Sequence, residues 1–175
     1  MPLSVGHDDR VGLADVVDRL AANRDLATGS GPWTRQFLDL ADQQFERRWR
    51  LTRVPAVVLR EVRLPRHAGE PCQGDTMTLV PTCGLTAADA GAHWTSIRAA
   101  YTDANPCCAG RLEAAERAPF SLVIVTTAPL DTPEHRALPV NAGGLYHLDG
   151  LHRLIAWAAA GRLNGDLTIP VAIAG

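Results

Sequence analysis

The residues best placed to do chemistry stand near the end of the chain, in Leu145-Tyr146-His147-Leu148-Asp149-Gly150-Leu151-His152-Arg153-Leu154. The pattern predicts a short strand, a tight Asp-Gly turn, and a helix that opens with a histidine and an arginine. The first four N–H groups of a helix lack intrahelical partners and carry roughly half a positive charge, so a helix start attracts anions. Gly150 allows a phosphate close to the backbone, and Arg153 adds a cation where one is electrostatically disfavoured unless an anion or carboxylate lies nearby. The N–H groups from Gly150 through Leu151, His152 and Arg153 are therefore candidate phosphate ligands, with the His152 ring as a further donor. Asp149 is either the N-cap of the helix or a group that accepts a hydroxyl proton or holds Mg²⁺; capping and catalysis are compatible. His152 is otherwise a polar first-turn residue. Neutralised charge and an oriented acceptor are what phosphoryl transfer asks of a protein.

Composition narrows how phosphate could be handled. All seventeen cationic side chains are arginine and none is lysine. That excludes a P-loop lysine, a kinase-type strand lysine and a lysine Schiff base. The formal net charge of −2 gives no global reason to bind nucleic acid or an anionic membrane. No apolar run approaches the ~18 residues needed to span a bilayer, and no basic segment followed by an apolar core opens the chain. A cytoplasmic protein with reduced thiols is expected. Cys72, Cys83, Cys107 and Cys108 form no CxxC pair, and His67 with Cys72 and Cys83 matches no common zinc spacing.

Several elements must position the turn. Apolar spacing predicts one helix over 10–23 and a second from Trp33 to Arg50, whose stripe is Trp33, Phe37, Leu40, Ala41, Phe45 and Trp49. That stripe must be buried somewhere, and a homodimer through the N-terminal helices is one solution. The arginines from Arg47 to Arg53 read either as cations matched to a helix C-terminus or as a nucleotide- or nucleic-acid-facing patch. Strands are expected over Val54–Leu64, Thr76–Val80, Leu122–Thr127 and Leu167–Ile173, the third apolar on both faces and hence central. Thr86 and Asp89 mark a capped helix stopped by Asn105-Pro106, and a short helix follows over Gly110–Arg117. A loop of roughly seventeen residues then runs from Ala128 to Gly144. Loops that long inside compact domains are usually functional or disordered, so this one reads as a lid or substrate loop. Within it Asp131, Glu134, His135 and Arg136 could contact an acceptor.

The order strand, Asp-Gly-Leu-His-Arg, small-residue helix, Gly161, and Ile169-Pro170-Val171 entering a strand resembles the ParB/sulfiredoxin superfamily over Leu145 to Ala174. The resemblance implies an α/β (α+β) fold with a small mixed sheet and flanking helices over 51–175, preceded by an N-terminal helical extension over 1–50. It also implies that Gly150, His152 and Arg153 hold the phosphates of a nucleotide. Sulfiredoxins carry their reactive cysteine where this chain has Leu151, so sulfinic-acid reduction is not expected. Chromosome-partitioning ParB proteins continue into a DNA-binding region, whereas this sequence stops near the last strand. The nearest match in character is the superfamily's free-serine-type kinases. Their pattern implies a second acidic residue after the first strand, for which Glu70 is the candidate beside its plain reading as a solvated loop acid. The expectation is an ATP- and Mg²⁺-dependent phosphotransferase acting on a small hydroxylated metabolite, with Asp149, Glu70 and His152 as catalytic candidates. The alternative is a nucleotide-sensing or protein-binding accessory module that performs no turnover.

Overall fold

The structure is a computed structural model of the whole chain, and its description covers residues 9–22, 32–65 and 84–175. Among these residues it is a mixed α/β protein. The elements in chain order are β1 (Asp9–Val11), α1 (Leu13–Ala22), α2 (Pro32–Gln44), β2 (Trp49–Pro55), α3 (Ala56–Leu59), α4 (Ala87–Ala104), α5 (Pro106–Arg117), β3 (Val123–Thr126), β4 (Tyr146–Asp149), α6 (Leu151–Ala159) and β5 (Thr168–Ala174). The strands form one sheet in the order β1-β2-β5-β3-β4, antiparallel throughout except for the β3–β5 pair.

Strands β3 and β5 are buried along almost their whole length, with apolar side chains on both faces. Val123 and Val125 of β3, with Val171 and Ile173 of β5, pack into a core shared with Trp94, Leu112, Leu154 and Trp157 of α4, α5 and α6. Ile124, Ala172 and Ala174 face the other way, onto Val16 of α1, Leu38 and Ala41 of α2, and Phe45 just beyond α2. Phe37, Leu40, Ala41 and Phe45 of the expected stripe therefore pack in a core shared with the sheet of their own chain, and residues of the first fifty supply both an edge strand and the layer over one face. No helix among the described residues is long and apolar enough to cross a membrane.

Several boundaries differ from the sequence expectation: the helix expected over 10–23 begins only at Leu13, because Asp9–Val11 pairs with β2 as an edge strand. The helix expected to reach Arg50 ends at Gln44, and Trp49 already begins β2. Glu46 and Arg47 take left-handed φ values of 55° and 60°, which reverse the chain, and the Trp49 indole donates back to Asp42 at 2.8 Å. Phe45 and Trp49 are four residues apart, as in a helical stripe, and both are buried in the same core although Trp49 lies in the strand. Arg48 donates to the Phe45 carbonyl at 3.2 Å, which places one of the clustered arginines on the C-terminal end of α2. The strand expected over Val54–Leu64 also lies earlier: β2 ends at Pro55, which has no N–H for a sheet ladder, and α3 follows. The strand expected over Thr76–Val80 falls outside the described residues.

The helical layer beneath the other face follows the sequence closely. Thr86 and Asp89 form a reciprocal capping box at the start of α4. Asn105 alone separates α4 from α5, which starts at Pro106 rather than Gly110 because a proline at the first helical position costs no hydrogen bond. Gly91 lets α4 lie directly on α6, since a Cβ there would sit 2.8 Å from both Ala158 Cβ and Ala159 N. Helices α5 and α6 run parallel: Cys108 meets His152 at 3.4 Å near their N-termini, and Arg162, just after α6, donates to the Glu116 and Ala118 carbonyls at 2.7 Å each. Not all thiols are reduced, as the sequence suggested, because Cys107 is disulfide-bonded. Its neighbour Cys108 keeps its thiol and is buried. Adjacent helical side chains diverge by about 100°, so the pair cannot share one environment.

Candidate functional site

A single residue, Gly150, links β4 to α6. Its φ of 101° lies in the left-handed region, where L side chains are strained. A Cβ at that position would also sit 3.0 Å from Arg153 Nη2, because the guanidinium folds back over the glycine. Glycine is thus required by the backbone and by the arginine above it. The first turn of α6 contributes N–H groups without intrahelical partners, the helix ladder beginning with the Leu154 N–H donated to the Gly150 carbonyl at 2.9 Å.

Arg153 ties this turn together. Its Nη2 donates to Asp149 Oδ2 and its Nη1 to Ser121 Oγ, each at 2.7 Å. The Arg153 and Asp149 side chains are 22% and 17% exposed, so the pair is mostly covered but reaches the surface. Ser121 stands two residues before β3, and Asp149 pairs with Ile124 in register. One guanidinium therefore binds the end of β4 to the approach to β3, across the mouth of a helix start. The carboxylate near a first-turn arginine that the electrostatics called for is Asp149 itself. Asp149 is not the N-cap: Gly150 occupies that position, and no side chain caps it.

The His152 ring meets Cys108 Sγ at 3.4 Å. Neither Ser121 nor Cys108 was legible in the sequence as a neighbour of the turn. They lie 32 and 44 residues from Arg153 and His152 respectively, and neither sits in a motif of its own. Glu70 lies outside the described residues, as do His67, Cys72 and Cys83. No cluster of three or more His, Cys, Asp or Glu side chains among the described residues is arranged to hold a metal ion.

The long loop sits elsewhere. It leaves the end of β3 and enters β4 at Tyr146, which pairs with Thr126, whereas the Asp149 end of β4 pairs with Ile124. The loop and the turn therefore belong to opposite ends of the same strand pair. Polar side chains fasten the loop at three places. Gln44 of α2 donates to the Pro129 carbonyl at 2.9 Å and accepts the Asp131 N–H at 3.0 Å. The Tyr146 hydroxyl donates to the Pro139 carbonyl at 2.9 Å and accepts the Asn141 N–H at 2.8 Å. Between them His135, 1% exposed, contacts Thr132 Oγ1 through Nδ1 at 3.0 Å and the His147 carbonyl through Nε2 at 3.1 Å. A carbonyl only accepts, so Nε2 carries the proton and Nδ1 accepts from the Thr132 hydroxyl. Phe37 packs edge-on to the ring. Burial holds the His135 pKa below its ordinary 6.5, against the opposing pull of the His147 carbonyl and Glu134. Asp131 and Arg136 form an exposed ion pair at 3.3 Å. His135 reaches only as far along β4 as His147, so the loop candidates and the turn are not brought into one site.

A half-open groove of about 450 Å³ lies at the C-terminal end of α6, lined by Arg60, Asn164 and small residues of α4 and α6. The nine residues of α6 put roughly 13 Å of helix between that groove and the turn.

No curated protein and no solved structure matches the chain. One family model does match, across residues 18–175, and the chain belongs to that family, DUF6309, a family of unknown function.

Proposed function

We propose that this protein is a nucleotide-dependent phosphotransferase, a small-molecule kinase of the ParB/sulfiredoxin-like type. The donor's phosphates lie on the Asp149–Arg153 turn and the acceptor is a small hydroxylated metabolite. The observation that carries the reading is the left-handed Gly150 opening α6 with Arg153 held over it. Backbone donors, a helix dipole and a guanidinium converge there, in a chain with no lysine to do the work otherwise. The resemblance of Leu145–Ala174 to the superfamily's nucleotide-binding segment supports the same reading. ATP is the donor we favour. Mg²⁺ is usually held by one or two carboxylates together with substrate phosphates, and Asp149 is the carboxylate at the turn that fits that role.

In this reading the α6 N–H groups and Arg153 neutralise the phosphates, His152 adds a donor, and Asp149 takes the proton of the attacking hydroxyl. A thermal-shift panel of ATP, ADP, CTP and GTP with Mg²⁺ tests the premise. A ligand at a hundred times its Kd stabilises the native state by about 2.7 kcal/mol. If no nucleotide raises the melting temperature at millimolar concentration, the reading falls. Phosphoryl transfer to a panel of amino acids and sugars then tests turnover, which Asp149→Asn should abolish while leaving binding in place.

A second reading has its own observation. Asp149, the proposed base, is ion-paired to Arg153 at 2.7 Å. That arrangement suits a non-catalytic nucleotide-sensing or protein-binding accessory module, in which the wild-type protein binds a nucleotide and transfers nothing.

A further inference from the structure

We propose that the groove between α4 and α6 binds a small aliphatic carboxylate, with its head on Arg60 and Asn164 and its chain along the alanines. The groove lies at the other end of α6 from the phosphate turn, and neither reading depends on the other.

Close helix packing makes the groove. At Gly91 the backbones of α4 and α6 meet, the place of a Cβ being only 2.8 Å from Ala158 Cβ and Ala159 N. Ala88, Ala92 and Thr95 share one face of α4 at i, i+4 and i+7, and Ala158 and Ala159 of α6 complete the walls. Short side chains on both sides leave a half-open space of about 450 Å³, within the range of small-molecule sites.

The polar groups at one end are donors without an anionic partner. Arg60 donates to the Asn164 amide oxygen and forms no ion pair among the described residues. That contact uses the acceptor of the Asn164 amide and leaves its NH₂ group and most of the guanidinium N–H groups to donate elsewhere. Thr95 spends its hydroxyl proton on the Gly91 carbonyl at 3.0 Å. Donors with an unneutralised charge select an anionic acceptor, and a planar guanidinium fits a carboxylate.

Length and composition choose the rest of the ligand. Ala88 to Thr95 spans about 10 Å of helix, the reach of a medium-length aliphatic chain, whereas a stable protein partner needs roughly 800 Å² on each side. No aromatic ring lines the groove among the described residues. Val57 and Leu167, 46% and 68% exposed, stand three residues from Arg60 and Asn164 along the chain. The Ala56 N–H donates to the Leu167 carbonyl at 2.7 Å, which ties these two apolar segments together at the same end. The plain alternative is that Arg60 only matches the negative end of the α6 dipole.

Sodium octanoate below its micelle concentration tests the site by NMR of alanine methyl groups. It should shift the Ala88, Ala92, Ala158 and Ala159 signals saturably, and octanol should bind about fivefold more weakly, the scale of one half-exposed charged contact. Hexanoate should also bind severalfold more weakly, because less of its chain is buried. Asn164→Asp supplies Arg60 with a carboxylate from within the chain, so it should remove the advantage of octanoate over octanol, as should Arg60→Gln. Ala92→Leu should fill the groove and abolish binding of both, with circular dichroism reporting an intact fold. No saturable shift of the groove methyls overturns the proposal. Equal affinity for octanoate and octanol in the wild type does so too and leaves Arg60 as a cation matched to the end of α6. A preference for octanoate that survives both Arg60→Gln and Asn164→Asp, or binding that survives Ala92→Leu, places the ligand elsewhere and is equally fatal. If Ala92→Leu does not fold, the other two variants decide alone.

Discussion

The turn at Asp149–Arg153 and the loop over 128–144 are both rich in polar and charged residues, yet those residues are used differently. Around the loop, His135 within it, Gln44 of α2 and Tyr146 of β4 pair mainly with backbone carbonyls and N–H groups, and His135 does so at 1% exposure. The His135 bond cannot be given up without leaving the buried His147 carbonyl unsatisfied, and the Tyr146 and Gln44 bonds hold the loop to β4 and α2 from more exposed positions. At the turn the polar side chains pair with one another in a part-buried cluster that reaches the surface. Side chains spent on backbone hold the fold, whereas those that pair among themselves at a helix mouth remain available for function.

That contrast can be broken experimentally, beginning where the effect is largest. His135→Ala removes a buried ring, leaves the His147 carbonyl without its donor and opens a cavity, for an expected loss of about 3 kcal/mol by urea denaturation. A loss below about 1 kcal/mol would mean the loop is not fastened as described. Arg153→Gln should cost only about 1 kcal/mol of stability, because the pair is partly solvated, but should remove most nucleotide binding. A large stability loss with binding intact would exchange the roles of the two regions. Gly150→Ala sits between these classes: the left-handed backbone costs about 1–2 kcal/mol, and the added Cβ pushes on Arg153, so stability and ADP affinity should fall together. Tyr146→Phe removes two bonds to the loop while keeping the ring, with about 1 kcal/mol lost and no change in ADP affinity.

The smallest effect is one of pH. His135 has its pKa lowered by burial, so above 6.5 it is neutral in both folded and unfolded chains and contributes nothing. As pH falls below 6.5 the unfolded chain takes up a proton that the folded protein refuses, and stability declines until the folded pKa is reached. Denaturation of the wild type and His135→Gln across this range should show the steeper acid decline in the wild type. Parallel curves would mean His135 does not titrate differently on folding.

Much of this was legible in advance, in proportion to how local the signal was. The capping box at Thr86 and Asp89, the break at Asn105-Pro106, the apolar strand over 122–127 and the strand-glycine-helix order around Gly150 each depend on residues within one or two turns of each other. The end of α2 was misread because Phe45 and Trp49 keep helical spacing across a chain reversal made by two non-glycine residues in left-handed conformation. Nothing in the pattern distinguishes that from a continuing stripe. The long loop was legible as a loop, but not as one clipped down by Gln44, 85 residues before its carbonyl partner.

What the sequence determines by itself is the local arrangement: a glycine turn between strand and helix, with an arginine and a carboxylate four residues apart, in a chain without lysine. Backbone conformation and helix-end charge follow from neighbouring residues, so that much can be read along the chain. Tertiary structure alone decides the partners. It brings Ser121 and Cys108 to the turn, sets Asp149 against Arg153 instead of at the helix cap, and sends the polar loop to the far end of β4. Those outcomes depend on which strands pair and in what register, and contacts between residues tens of positions apart exist only once the sheet has closed.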